Sequence, residues 1–360
     1  MTKPVVIVGG GLAGLYAGYL LEQRHINFKI IEADSRPGGR IFCQPYPDVV
    51  DNKLDLGPAW FWPHQTEMLT LLQSLGVDYF EQYHAGEALF EADSQSPIER
   101  FVPSYMESFR VAGGMQRLVD KIISQLPDDA IELNCMASNI ELKSGVWEIA
   151  CNGQSSPSLI ADRVIIATPP RVIADKLKMP DDTLLALKNQ LDKVPTWMAA
   201  QAKYVACYRN AFWRLQGLSG QAFSRLGPMV EIHDASAGEN DCFALFGFIG
   251  VASSQRKNIT TESLKQACLN QLIKIFGEDA NDTEQTYLTD WASNPLIASA
   301  ADINEPPGHP QISLAPYRQA LIDNGIFFGG SEVATQDPGY LRGAIIAASD
   351  AVTAILSQPA

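Results

Sequence analysis

Val5-Val6-Ile7-Val8-Gly9-Gly10-Gly11-Leu12-Ala13-Gly14 opens the chain, and Glu32-Ala33-Asp34-Ser35-Arg36-Pro37-Gly38-Gly39-Arg40 closes its first forty residues. Four β-formers, a glycine run and an apolar helical pattern (Leu15, Leu20, Leu21) predict a buried strand, a tight turn and a helix. Gly9, Gly11 and Gly14 stand at the spacing that lets a turn close, a backbone approach a pyrophosphate, and a helix pack on its strand. The helix start offers free N–H groups and a partial positive charge to phosphate. Phe28-Lys29-Ile30-Ile31-Glu32 then predicts a second strand ending in an acid. That acid falls about 20 residues after the turn, where a ribose hydroxyl is held. The stretch predicts an α/β fold with a parallel sheet that binds a dinucleotide.

A chain of 360 residues can bury a large core, and two domains are expected. The net charge of −14 makes nucleic acid and anionic membranes poor partners. Cys43, Cys135, Cys151, Cys207, Cys242 and Cys268 are scattered, so free thiols in a reducing compartment are expected. The dispersed histidines (His25, His64, His84, His233, His309) give no zinc pattern, and no metal is expected. No signal peptide is read before the first strand, and no apolar run is long enough to cross a bilayer. The expectation is a cytoplasmic protein without a membrane partner.

Further along, Asp55-Leu56-Gly57-Pro58-Ala59-Trp60-Phe61-Trp62-Pro63 is apolar, aromatic and turn-rich at once. Helices are predicted over Gln65–Leu75, Met115–Leu126, Asp181–Leu191 (on the surface), Thr261–Phe276 and Gly339–Leu356. Residues 78–109 are acidic (Glu81, Glu87, Glu91, Asp93, Glu99) and predict an excursion into a second domain or a lid, with room for a hairpin or one small helix. Ile131–Leu133, Asn139–Leu142, Val146–Ala150 and Ser158–Ile160 predict a small β-meander. Arg163 to Ala167 predicts a buried strand ended by Pro169 and Pro170. Trp197–Val205, Phe243–Gly250, Gln285–Asp290 and Ile326–Phe328 read as strands, and Asp302–Pro316 as irregular.

These pieces together resemble the flavin amine oxidase family, which contains the monoamine and polyamine oxidases. Arg36-Pro37-Gly38-Gly39-Arg40 directly after the acid is a pattern of FAD enzymes rather than of NAD dehydrogenases. Asp55–Trp60, Gly113-Gly114-Met115, Val164–Pro170, Phe327–Glu332 and Gly339-Tyr340-Leu341-Arg342-Gly343-Ala344 match further family segments. Lys203 lies ahead of Phe212-Trp213 at the family's spacing. The resemblance implies a Rossmann-type FAD-binding domain, three-layered with a parallel sheet plus β-meander, built from 1–78, 110–196 and 288–360. A smaller α+β substrate domain would take 79–109 and 197–287.

The resemblance also implies roles. Gly9, Gly11, Ala13, Gly14, Glu32, Ala33 and Arg40 would hold the ADP half of FAD, with Ala137, after a turn at Met136, bonding adenine through its backbone. Gly57, Ala59, Trp60, Thr168, Trp291, Gly330, Glu332 and Leu341 would surround the rest, with Glu332 on the ribityl chain or phosphates. Lys203 would serve the reactive ring, and Tyr340 would form one wall of an aromatic cage for the amine. Trp197, Trp213 and Phe212 would fill the substrate-domain core. After Trp291 the chain reads Ser293-Asn294-Pro295-Leu296-Ile297-Ala298-Ser299-Ala300-Ala301, without cysteine or aromatic residue. FAD is therefore expected to be non-covalent, and the second cage wall is missing from its usual place, with Phe61, Trp62 and Phe223 as candidate substitutes. With so short an excursion at 79–109, the site is expected to be open or closed by a partner subunit in a homodimer.

The expected activity is oxidation of an amine's C–N bond with O2 as acceptor. An amino acid substrate would need an arginine facing its carboxylate, and Arg100, Arg209, Arg214 and Arg225 are the candidates. Other readings are a renalase-like oxidase of reduced nicotinamide isomers, a desaturase or isomerase of the protoporphyrinogen oxidase or carotenoid type, and a non-catalytic FAD-binding module.

Overall fold

The computed structural model describes residues 3–153, 158–179, 182–237 and 242–358. Val5–Val8 is the centre of a five-stranded parallel sheet. Phe28–Ile31 and then Ile131–Glu132 lie on one side of it; Arg163–Ile166 and Ile326–Phe328 lie on the other. Parallel strands are buried on both faces, which explains their unbroken apolar runs. Val5 and Ile7 point into a core with the helices Leu12–Glu22, Thr66–Ser74, Gln116–Ile123 and Leu341–Leu356. Val6 and Val8 point the other way, against Trp147 and Ile149 of an antiparallel meander. That meander is Cys135–Lys143, Val146–Gly153 and Ser158–Ala161. The result is three layers: helices, parallel sheet, meander.

Several expectations need correction. Ile131–Glu132 is not part of the meander; it extends the parallel sheet by pairing with Ile30 and Ile31. Met136 lies within a strand rather than a turn. Pro170 does not simply end a strand. It opens the helix Pro170–Lys176, where a fixed φ and a missing N–H cost nothing. The helix Asp182–Leu191 is no mere surface element, since Leu187 and Leu191 are fully buried; the expected start at Asp181 lies outside the described residues. Within the expected irregular stretch, Ser299 caps the short helix Ala300–Asn304 in a reciprocal capping box with Asp302. Asp302 is held in turn by the buried Arg171, 2.9 Å away.

A second sheet of seven strands runs in the order Gln285–Asp290, Ala202–Tyr208, Phe243–Ile249, Met229–Asp234, Leu218–Ser224, Glu87–Glu91 and Glu99–Phe101. Its pairs are antiparallel except Leu218–Ser224 with Glu87–Glu91. The first 79–109 expectation holds in its hairpin form: Glu87–Glu91 and Glu99–Phe101 pair and complete the sheet edge. The strand expected from Trp197 begins only at Ala202. Met229–Asp234 and Leu218–Ser224 had no sequence-based assignment.

Alternation along Ala202–Tyr208 gives this sheet two uses. Tyr204, Ala206 and Tyr208 pack on the helix Thr261–Phe276, in a core with Phe212 and the fully buried Trp213. Thr260 caps that helix, its Oγ1 accepting the Ser263 N–H at 3.2 Å. Val205 and Cys207 face the opposite way, onto Leu54, Leu56 and Phe246. Lys203, two residues before Val205, shares their face by the period of two. The second sheet therefore turns its lysine-bearing face toward the dinucleotide side of the molecule.

Candidate active site

A cavity of about 560 Å³ runs from the Gly9–Gly11 turn to the face of the second sheet. At one end, Gly9 has φ +106°, and a Cβ there would stand 2.7 Å from Thr168 Cγ2. The helix that follows begins at Leu12, and its first internal bond is the Leu15 N–H to the Gly11 carbonyl, 2.9 Å. The earlier N–H groups of its first turn have no intrahelical acceptor. Gly38 crosses beside this turn, its N–H 2.8 Å from the Gly10 carbonyl. Gly38 and Gly39 both have positive φ, a conformation that favours glycine. Two glycine backbones thus form one edge of the cavity. Glu32 closes this end. One oxygen accepts the Gly10 N–H at 2.6 Å and the other the Asp34 N–H at 2.8 Å. Burial raises its pKa, against the pull of those backbone donors.

At the other end stands Lys203, 3% exposed. Its ammonium donates to the Gly57 carbonyl at 3.1 Å and sits 4.0 Å above the centroid of Phe246. Burial pulls its pKa down to about 7, with Asp55 opposing the shift and Arg110 adding to it. The amine can therefore hold or release a proton near neutrality. Trp291 donates its indole N–H to the Leu56 carbonyl at 3.2 Å, locking the Gly57 loop to the second sheet. Gly57 is required there, because a Cβ would lie 2.0 Å from the Arg40 carbonyl. Tyr340 precedes the helix Leu341–Leu356, whose first internal bond is the Ala344 N–H to the Tyr340 carbonyl at 3.1 Å. The N–H end of that helix opens on the cavity at Leu341.

The cavity brings together Lys203, Tyr340, Gly9, Gly11, Ala13, Glu32, Ala33, Arg40, Gly57, Ala59, Trp60, Ala137, Thr168, Trp291, Glu332 and Leu341. Gly14 and Gly330 do not line it. Gly14 lets the helix sit on its strand, since a Cβ would be 1.9 Å from the Gly9 carbonyl oxygen; Gly330 packs near the Thr168 carbonyl. Glu332, 1% exposed, is already engaged. Arg40 lies 2.6 Å from it, the Ser331 hydroxyl donates to it at 2.8 Å, and the Trp197 N–H at 3.3 Å. Arg40 also donates to the Trp197 carbonyl and to Ser331 Oγ. The positive charge of Arg40 is thus largely matched inside the protein.

Trp197 corrects another expectation. It lines the cavity instead of the core, stacked on His309 at 3.8 Å between centroids and 5.5 Å from Tyr340. Among the candidates for a second aromatic wall, Phe61 is fully buried in the first core and Phe223 does not line the cavity. Trp62 does, with its ring 6.0 Å from Tyr340 and nearly perpendicular to it. Sequence reading also missed Phe248 and Glu231, which line the cavity from the second sheet, and the lining residues Val172, Ile173, Lys176 and Leu177. The acids of the 78–109 excursion do not face the cavity. Glu91 is buried on Lys274, and Glu87 pairs with Arg100.

The residues fit FAD. The glycine edge leaves room beside Gly11, where the nearest atom to a Cβ would be Gly39 Cα at 3.9 Å. A buried carboxylate and an open helix end suit the ribose and pyrophosphate. A dinucleotide groove continuing into a chamber walled by aromatic rings and a buried amine defines a flavoprotein oxidoreductase. The comparisons give the narrower class. Residues 77–356 match the flavin containing amine oxidoreductase family, and residues 7–75 the NAD(P)-binding Rossmann-like domain. Putrescine oxidase of Kocuria rosea is 36% identical over 439 aligned positions, covering 90% of both chains. Pig amine oxidase [flavin-containing] B is 23% identical over 98% of this chain and 86% of its own. Among solved structures, putrescine oxidase bound to putrescine superposes with a TM-score of 0.81 at 19% identity, over 99% of this chain and 100% of that one. Cyclohexylamine oxidase from Brevibacterium oxydans IH-35A gives 0.81 at 18%, over 99% of each chain. The two structural likenesses speak for the fold. The chain belongs to the flavin-containing amine oxidoreductase family and is an FAD-dependent oxidoreductase acting on amine donors.

Proposed function

We propose that the protein oxidises a small primary amine with O2 as acceptor, using FAD bound without a covalent link. When bound, FAD supplies the two-electron acceptor for the donor's C–H bond, so that the amine leaves as an imine for hydrolysis and O2 takes the electrons to give H2O2. The chain's own residues hold the ends of the reaction. Glu32 and the glycine edge bind the ADP half. Trp60 and Trp291 flank the chamber, and Tyr340 with Trp62 and Trp197 confines the donor against aromatic faces, which favour a cation on entry. Lys203, neutral above about pH 7, accepts a proton at Nζ within a dry wall. The proposed FAD-binding unit comprises 1–78, 110–196 and 288–360, and the substrate unit 79–109 and 197–287.

The observation that carries this reading is the buried Lys203 amine, held at the junction of the Gly57 loop and the second sheet by a 3.1 Å bond. An amine donor is favoured over an amino acid by the arginines. Arg100 pairs with Glu87, Arg209 with Glu284, and Arg214 with Asp234, while Arg225 lies over Phe90. None of them lines the cavity, and Arg40, which does, is taken by Glu332. A peroxide-release screen over primary amines and amino acids tests this: stoichiometric H2O2 is expected with amines, and release with amino acids alone would contradict it. Non-covalent FAD is tested by acid precipitation. The yellow colour is expected in the supernatant; a yellow pellet would contradict it.

A further inference from the structure

Two buried charges beneath the Gly57 loop have no part in the proposed reaction. Asp55 ends the strand Val49–Asp55, and the chain runs on through Leu56 to Gly57, whose carbonyl accepts from the Lys203 ammonium. Arg110 lies in the strand Phe109–Val111. Asp55 is 3% exposed and Arg110 2%. One Asp55 oxygen accepts the Met115 N–H at 2.7 Å and the Cys43 thiol at 3.0 Å. The other meets Nη2 of Arg110 at 3.3 Å. Arg110 also donates from Nη1 to the Ser236 carbonyl at 3.0 Å, while its buried Nε makes no hydrogen bond among the described residues. A buried ion pair is a weak source of stability, because both charges lose their water. Its place beneath a buried amine gives it another use.

Other elements also bring ionisable groups to the Lys203 face. Burial first, then Asp55, push the Cys43 thiol well above its ordinary range, so it stays neutral. Tyr287 stands opposite Val205, on the face Lys203 shares; burial raises its phenol, and its hydroxyl donates to the Pro45 carbonyl at 2.8 Å. Glu231 is about 10 Å away across two strand spacings. It is matched by His233 at 2.6 Å. Arg40 and Glu332, also on the cavity, match each other at 2.6 Å. Apart from burial itself, Asp55 and then Arg110 act most on the amine. Their signs are opposed. Asp55 alone would hold the ammonium, an unpaired Arg110 would expel the proton, and the pair leaves the amine poised between.

We propose that the Asp55–Arg110 pair is a positioning device for Lys203, setting whether that side chain meets the cavity as ammonium or as neutral amine. This rests on the proposed role of Lys203 in the oxidation and names what governs it. While Arg110 holds Asp55, the carboxylate cannot claim Lys203 as its counter-ion, and the lysine stays free to take up and release a proton.

The test uses FAD-loaded protein with nitrogen-labelled lysine, Lys203→Met marking the Lys203 Nζ resonance. The first readout is the pH midpoint of that resonance. The second is the pH profile of O2 reoxidation after dithionite reduction, which needs no amine. Arg110→Gln is expected to raise both midpoints by about one pH unit or more, since it leaves an opposite charge free to favour the ammonium. Asp55→Asn, which keeps an acceptor for the Met115 N–H, is expected to lower them by a similar amount. The double variant is expected to return close to wild type, and Arg110→Lys, which keeps the charge, to stay there. Lost packing alone would lower stability or FAD content in both single variants without moving the midpoints in opposite directions. A midpoint unmoved in either single variant, or moved the same way in both, overturns the proposal. Should one single variant not fold, the step from the other to the double variant reads the same charge and must run in the same direction. If no amine is oxidised in the peroxide screen, the proposed function fails, while the Nζ midpoints still decide what sets Lys203.

Discussion

Lys203 carries two opposed demands. A strand interior excludes water, which disfavours the ammonium, while the Gly57 carbonyl and the Phe246 face favour it. Desolvation wins, and the pKa falls from 10.5 to about 7. Between these values the unfolded chain binds a proton that the folded chain does not. Stability is therefore expected to rise with pH from about 7 toward 10.5. Lys203→Met should lack that rise in urea titrations across this window; an identical slope in both proteins would contradict the depressed pKa. The same variant should retain FAD yet reoxidise more slowly in stopped flow, by about a hundredfold or more, the size typical of a lost acid–base group. Wild-type reoxidation at unchanged FAD content would remove Lys203 from the chemistry. The lysine was legible only through its resemblance, since a lone lysine before an aromatic pair has no signature of its own. Glu231 was not legible at all. In Met229–Asp234 the apolar Val230 is exposed while the polar Asp234 is buried against Trp213 and Arg214, so alternation misreports which face is which.

At the scale of elements, the opening strand–turn–helix was readable because its demands are steric. A Cβ on Gly14 would stand 1.9 Å from the Gly9 carbonyl oxygen, so helix and strand could not keep their distance. Gly14→Ala is expected to move the helix start away from the cavity. It should lower FAD affinity tenfold or more in flavin titrations and lower Tm by several degrees; unchanged flavin binding would contradict the packing account. Elements defined by long-range partners were harder to read. Ile131–Glu132 is too short to show a period, and only its pairing with Ile30 and Ile31 puts it in the parallel sheet. Leu218–Ser224 is broken by Gly220 at φ +77°, with a register shift before Ala222. The core position of Trp197 is implied by the family resemblance alone, and the strand expected from it starts only at Ala202. The chain instead turns at Met198, φ +60°, and the indole swings onto His309 and Tyr340.

Across the whole molecule, the parallel sheet with its glycine turn and the face of the second sheet are far apart in sequence but share one cavity. Segments from the start, middle and end of the chain meet there: Gly9, Glu32 and Arg40; Lys203 and Glu231; Glu332, Tyr340 and Leu341. The ion pair of Arg40 with the buried Glu332 ties the first of these to the last. No helix among the described residues is long and apolar enough to cross a membrane. A cofactor bridging these segments stabilises the folded state by mass action, in proportion to its occupancy. The proposed function requires the two ends of this cavity to work as one redox site for an amine. Anaerobic addition of a primary amine to the FAD-loaded protein tests it most directly. The flavin absorbance near its visible maximum is expected to bleach, and air is expected to restore it with release of H2O2. A flavin that stays oxidised through a panel of mono- and diamines, yet bleaches with dithionite, would contradict it.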